Sequence, residues 1–95
     1  MPAYLIADVS VRDRAKLIEY LELANGTVEA FEGRYLAQAG AISVLEGDWQ
    51  PETIVVVEFP TADAAKAWYT SEAYEPALQM NSKAMIRRMI VVEGL

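Results

Sequence analysis

Two stretches of this 95-residue chain echo each other at a constant offset of fifty positions. Ile6-Ala7-Asp8 matches Val56-Val57-Glu58, Asp13 matches Asp63, and Ala15-Lys16 matches Ala65-Lys66. Each copy reads as an apolar strand ending in an acid, then a turn, a capping Asp or Thr, and a helix. A strand–helix unit used twice in so short a chain leaves few architectures open.

The elements follow in order. Ala3 to Val9 is a continuous apolar run and reads as a buried strand. Asp13 caps a helix in which Leu17, Ile18, Leu21, Ala24, Val28 and Phe31 recur at helical spacing, with Tyr20 at the edge of the core. Asn25-Gly26 bends it, and Gly33 ends it as a C-terminal cap. Arg34 to Ala39 is a second strand, with a bulge or bend at Gly40 and extended chain over Ile42 to Leu45. Thr53 to Phe59, rich in β-branched residues, is the third. Thr61 caps a helix over Ala62 to Tyr69, Thr70-Ser71 breaks it, and a further helical piece runs from Glu72 to Met80. Arg88 to Glu93 is the last strand. The order β-α-β-β-α-β is a split pair of βαβ units and makes residues 1–95 a single α+β domain. Right-handed crossovers then give an antiparallel four-stranded sheet in the order 4-1-3-2, with the helices on one face. Strands one and three are expected as parallel neighbours at its centre.

Alternation along the strands assigns the two faces. Leu5, Ala7, Val9, Val55, Val57 and Phe59 should meet the helices. The bare face receives Tyr4, Ile6, Asp8, Ile54, Val56 and Glu58, joined by Arg34, Leu36 and Gln38, and by Arg88, Ile90 and Val92. This face is mostly aliphatic. At roughly 25 cal/mol per Å², burying about 600 Å² per partner is worth on the order of 15 kcal/mol before association costs. The expected partner is therefore a second copy, docked sheet to sheet. An apolar fraction of 54%, above the usual range of roughly 45–50%, fits a chain that covers such a face.

With the central strands parallel, Asp8, Glu58, Arg34 and Arg88 would converge at one end of the cavity between two such sheets. Apolar walls with a few convergent polar groups describe a pocket for a small organic ligand. Glu58 and Asp8 are then the candidate proton-transfer residues. Arg34, Tyr4, Gln38 and Arg88 are candidate binding residues. Trp49 reads as a lid or a loop anchor, and Ser71 and Tyr74 as ligand contacts or, for Ser71, a helix cap. The same four charges serve equally as an ion-pair lattice that fixes dimer register; the sequence supports both readings.

Composition removes several function classes. There is no cysteine and no histidine, so thiolate and imidazole metal sites and the usual haem ligands are missing, and no metal or cofactor is expected. A net charge of −6 argues against nucleic acid and anionic membrane. No run approaches the roughly 20 apolar residues of a membrane span, and Met-Pro-Ala-Tyr has no basic n-region, so a cytoplasmic protein is expected. There is no Gly-rich phosphate loop or nucleophile elbow.

A family resemblance covers Tyr4 to Gly94. Its marks are Gly33-Arg34-Tyr35-Leu36, Leu45-Glu46-Gly47-Asp48-Trp49, Val56-Val57-Glu58-Phe59-Pro60, and Ala65-Lys66-Ala67-Trp68-Tyr69 with Ser71 and Tyr74. In these the chain resembles the bacterial domain-of-unknown-function family thirteen-thirty, within the dimeric α/β-barrel superfamily. The resemblance implies a ferredoxin-like fold and a homodimer whose two sheets form a barrel; it supplies no reaction. Relatives often carry Gly-Gly where this chain has Glu32-Gly33, and basic residues near Met80-Asn81 and Gln38, which puts an anionic ligand in question. Small monooxygenases and isomerases of the wider superfamily suggest a cofactor-free enzyme or a binder of a small organic molecule. The alternative is a non-catalytic dimeric scaffold whose cavity is filled by its own side chains. RNA-binding domains share this topology, but they stack bases on aromatic residues of the central strands. Here those positions hold Ile54, Val56 and Glu58.

Overall fold

The computed structural model describes residues 1–95. Its elements are β1 (Ala3–Val11), α1 (Arg14–Ala24), α2 (Thr27–Ala30), β2 (Arg34–Gln38), β3 (Thr53–Phe59), α3 (Ala62–Tyr69), α4 (Glu75–Ala84) and β4 (Met85–Glu93). The helix starts are set by side chains. Asp13 accepts a hydrogen bond from the Lys16 amide at 3.2 Å, and Thr61 accepts one from the Ala64 amide at 3.0 Å. Pro76 sits in the first turn of α4, where its missing N–H is harmless. That places the start of α4 three residues beyond the expected Glu72. The helix then runs on to Ala84 and passes directly into β4 at Met85, ahead of the expected Arg88.

The four strands form one sheet in the order β2-β3-β1-β4, which is 4-1-3-2 read from the other edge. β1 and β3 are antiparallel, with Tyr4 opposite Glu58 and Asp8 opposite Ile54. The expectation of a parallel central pair is corrected here, and connectivity gives the reason. The crossover helix brings the chain back so that β2 runs with β1. The β2–β3 connection reverses it, so β3 must oppose β1 where the two meet.

Of the expected inward residues, Leu5, Ala7, Val9, Val57 and Phe59 are all at 7% exposure or less, and Val55 is half-buried against the same core. β4 turns Arg88, Ile90 and Val92 outward, opposite Asp8, Ile6 and Tyr4, and turns Arg87 toward the helices. In β2 the register slips between Tyr35 and Ala37. Arg34 pairs with Glu58 on the open face, but after the bulge Gln38 pairs with Val55 and shares the helix-side face. Gln38 therefore does not lie on the open face, and the bulge falls at Leu36 rather than Gly40. Residues 39–52 form no strand, so Ile42 to Leu45 do not continue β2; Ala39, at φ 60°, turns the chain away.

The first helical region splits at Gly26, which takes φ 78°. Its end is a Schellman turn. The Glu32 amide donates to the Glu29 carbonyl and the Gly33 amide to the Val28 carbonyl, each at 3.0 Å. The left-handed residue is Glu32, at φ 64°, and not Gly33 as the capping pattern suggested. Gly33 answers a packing need. A Cβ there would lie 2.7 Å from Val28 Cγ1 and 2.8 Å from Phe59 Cε1.

Helices cover one face only, and the molecule is a slab of 37 × 35 × 16 Å. α3 packs on β1, β3 and β4, whereas α1 packs chiefly on α4. Tyr20 and Ala24 are the buried residues of α1, while Ile18 and Leu21 are 54% and 46% exposed. The buried stripe is thus rotated from the expected one.

Two substitutions test this corner, with a third as control. Glu32→Gly relieves the left-handed strain and should raise unfolding free energy by about 0.5–1 kcal/mol. Gly33→Ala should lower it by about 1–3 kcal/mol through overpacking. Gly40→Ala, whose Cβ meets nothing within 4 Å, should change it little. Urea denaturation of the three variants reads the rise, the fall and the unchanged control.

Candidate functional site

On the open face the charges form two pairs. Arg34 Nε meets Glu58 Oε2 at 2.9 Å, and Arg88 Nη2 meets Asp8 Oδ2 at 2.6 Å. Along β1 the pairs sit beside Tyr4 and Asp8, four residues or roughly 13 Å apart at strand rise. They lie at opposite ends of the sheet, so the expected convergence of four charges at one cavity mouth does not occur. It rested on the parallel central pair. Trp49 Nε1 donates to Asp8 Oδ2 at 3.1 Å and ties the 39–52 segment to the sheet, as an anchor does. Tyr4 is half-buried on the open face, with its ring over Gly94.

The hydrogen bond from Arg88 holds the Asp8 carboxyl below the usual carboxylate range. It outweighs the partial burial that opposes it, and Trp49 adds to it.

The helix side holds a different arrangement. Because α1 leans on α4, a chamber of about 520 Å³ opens between α1 and the sheet. Its walls are mainly apolar: Leu5, Ala7, Val9, Val55, Val57 and Met89 from the strands, Leu17, Leu21 and Ala24 from α1. Tyr35 and Gln38 line it as well, carried there by the β2 register. Glu29 lines it as an exposed residue.

Tyr20, Trp68 and Arg87 also line the chamber. The Tyr20 and Tyr74 hydroxyls are 2.6 Å apart, and Arg87 Nη1 donates to both, at 3.0 and 3.1 Å. The Trp68 and Tyr74 rings lie with centroids 4.1 Å apart. Trp68 Nε1 donates to Thr27 Oγ1 at 3.0 Å, and Thr27 Oγ1 donates to the Ala24 carbonyl at 2.7 Å. One cluster thus joins α1, α2, α3, β4 and the start of α4. Burial pushes the Tyr74 phenol well above its ordinary value, with neighbouring Tyr20 reinforcing it against Arg87, so Tyr74 stays protonated at neutral pH. Burial likewise raises Tyr35.

Ser71 Oγ donates to the Trp68 carbonyl at 2.7 Å and accepts from the Tyr74 amide at 3.2 Å, a turn-forming role. Tyr74 is fully buried and does not line the chamber; it touches Tyr20, Trp68 and Arg87, which do. Tyr20, Trp68 and Arg87 were not singled out as site residues from the sequence. A signal for Arg87 existed: with Arg88 on the open face, alternation turns Arg87 inward among apolar side chains.

A shallower cleft of about 580 Å³ lies on the other side of Leu5, Met89 and Arg87, with Lys66, Thr70 and Asn81 on its wall. The Asn81 Oδ1 atom is buried and has no hydrogen-bond partner. No group of three or more acidic, histidine or cysteine residues is placed to hold a metal ion. No helix is long and apolar enough to cross a membrane.

A family model, domain of unknown function (DUF1330), matches residues 2–95. The chain belongs to the DUF1330 family. Among solved structures, this DUF1330 protein is similar to RPA0582, a protein of unknown function from Rhodopseudomonas palustris. The two share 17% identity at a TM-score of 0.76, over 99% of this chain and 82% of that one. It is similar to a dimeric ferredoxin-like protein of unknown function from Jannaschia sp., at 12% identity and TM-score 0.70, over 99% and 100%. It is also similar to SnoaB, a cofactor-independent oxygenase from Streptomyces nogalater, at 11% identity and TM-score 0.62, over 99% and 93%. Identities this low establish the shared ferredoxin-like α+β fold and nothing finer. No curated protein matches the chain.

The Asp8 pairing makes a pH prediction. A carboxyl whose folded pKa is depressed contributes stability above its unfolded value of about 3.9, and that contribution is lost as pH falls through the folded value. The urea midpoint of the unmodified protein should therefore drop more between pH 7 and pH 3 than that of Asp8→Asn. Equal drops would show that the pair contributes nothing.

Proposed function

We propose that this protein is a homodimer, joined through its open sheet faces, that binds a small and mainly apolar organic molecule in the chamber between α1 and the sheet. The chamber carries this reading: a volume of about 520 Å³, apolar walls, and a phenol and a guanidinium on its inner side. Those are the features by which ligand sites are recognised. The site proposed from the sequence, between two sheets with Glu58 and Asp8 as proton carriers, gives way to this one. Both carboxylates are held by arginines at opposite ends of the face, where they serve as dimer-register contacts.

Self-association is supported by the exposed aliphatic residues Ile86, Ile90 and Val92, at 63%, 60% and 45% exposure, and by dimeric neighbours of the same fold. The oxygenase neighbour needs no cofactor. By analogy of fold, hydrogen-bond donors at the end of an apolar chamber suit chemistry that stabilises an oxyanion. Catalysis here would then rest on Tyr20 and Arg87.

The two halves of the proposal are tested separately. Ile90→Arg, at the middle of the open face, should convert a two-chain species to one chain in sedimentation experiments while far-ultraviolet dichroism is retained. In a Trp49→Phe background, Trp68 emission should respond saturably to a bicyclic aromatic acid or its amide. No saturable response to either would refute the chamber reading and leave the dimeric scaffold.

A further inference from the structure

Arg87 is the unexplained charge of this fold. It turns toward the helices and is half-buried. The chain's three ion pairs are Lys16–Glu19, Arg34–Glu58 and Arg88–Asp8, so no carboxylate neutralises it. Its partners are two neutral phenols, both reached through Nη1. Nε and Nη2 donate to nothing in the chain. Neither nitrogen is buried, so both stay open to a group that enters beside them; a half-buried guanidinium without a counter-charge favours such a group when it is anionic.

The phenols add a second observation. Two hydroxyl protons are shared between Tyr20 and Tyr74, and the contact between them uses one. If Tyr20 donated, the Tyr74 proton would be left without an acceptor in a side chain with 0% exposure. Burial of an unsatisfied donor costs roughly 1–3 kcal/mol. The favoured arrangement has Tyr74 donating to Tyr20. The Tyr20 proton is then free, on a residue that lines the chamber.

Resting on the chamber reading above, we infer that the ligand carries an anionic oxygen, a carboxylate or phenolate on an apolar ring system, held by Arg87 and the Tyr20 hydroxyl. The open donors of Arg87 and the free phenol proton match an oxyanion in number and kind. The apolar walls match the ring system. The net charge of −6 would repel an anion from most of the surface, so the half-buried Arg87 cation supplies the selectivity. This reverses the doubt about an anionic ligand raised by the missing basic residues near Gln38 and Asn81. The cation is provided by β4 instead.

The test uses two probes of one shape, 2-naphthoate and 2-naphthamide, titrated at pH 7 against Trp68 emission in the Trp49→Phe protein. Naphthoate should bind at least roughly tenfold more tightly, the order expected of a charge-assisted contact. Arg87→Gln should abolish that preference, bringing the naphthoate affinity down to that of naphthamide. Should Arg87→Gln fail to fold, Tyr20→Phe, which keeps the cation, should reduce the preference by severalfold. Equal affinity for the two probes would overturn the anionic assignment and leave the chamber reading standing. Binding of neither would overturn both.

Discussion

The contact of Tyr20, Tyr74 and Arg87 governs the helical layer. In a two-layer α+β fold, a helix would ordinarily press its apolar stripe onto the sheet. Here the polar end of a buried tyrosine in α1 finds its partner at the start of α4 and on β4. Satisfying those hydroxyls draws α1 toward α4, and the gap beneath it becomes the chamber. Arg87 is held in turn by the same hydroxyls. The interaction that shapes the layer also supplies the only cationic group on the chamber wall.

Strand direction is the second constraint, and it acts on the opposite face. The sequence echo gives Asp8 and Glu58 equivalent places in their strands. Because β1 and β3 are antiparallel, equivalent places become opposite ends. Each acid finds an arginine on the adjacent strand, β2 for Glu58 and β4 for Asp8. The result is an aliphatic field with an ion pair near either end. That pattern suits a self-complementary interface, in which paired charges fix register and apolar area supplies the driving force. In the function proposed above, the two faces of the sheet divide the labour, one for association and one for a ligand.

Much of this was legible because it depends on local chemistry. Asp13 and Thr61 cap helices wherever the chain puts them, and alternation assigned Leu5, Ala7, Val57 and Phe59 to the core. Where sequence reasoning missed, the deciding partner lay far along the chain. Gln38 was placed on the wrong face because the bulge at Leu36 arises from pairing with β3. Gly33 looked like a cap, but the left-handed turn falls on Glu32. The glycine is needed because Phe59 comes within 2.8 Å of where its Cβ would be. Tyr74 reads from the sequence as a ligand contact alongside Ser71. Its contact with Tyr20, 54 positions away, could not be seen there.

The sequence by itself determined the element order, the identity of the two faces of the sheet and the family, since these follow from periodicity, caps and motif spacing along a continuous chain. Tertiary structure alone decided which charges meet, where the cavity lies and which arginine faces it. Those depend on strand direction and on the lean of one helix, and both are set by contacts between residues that sequence distance keeps apart.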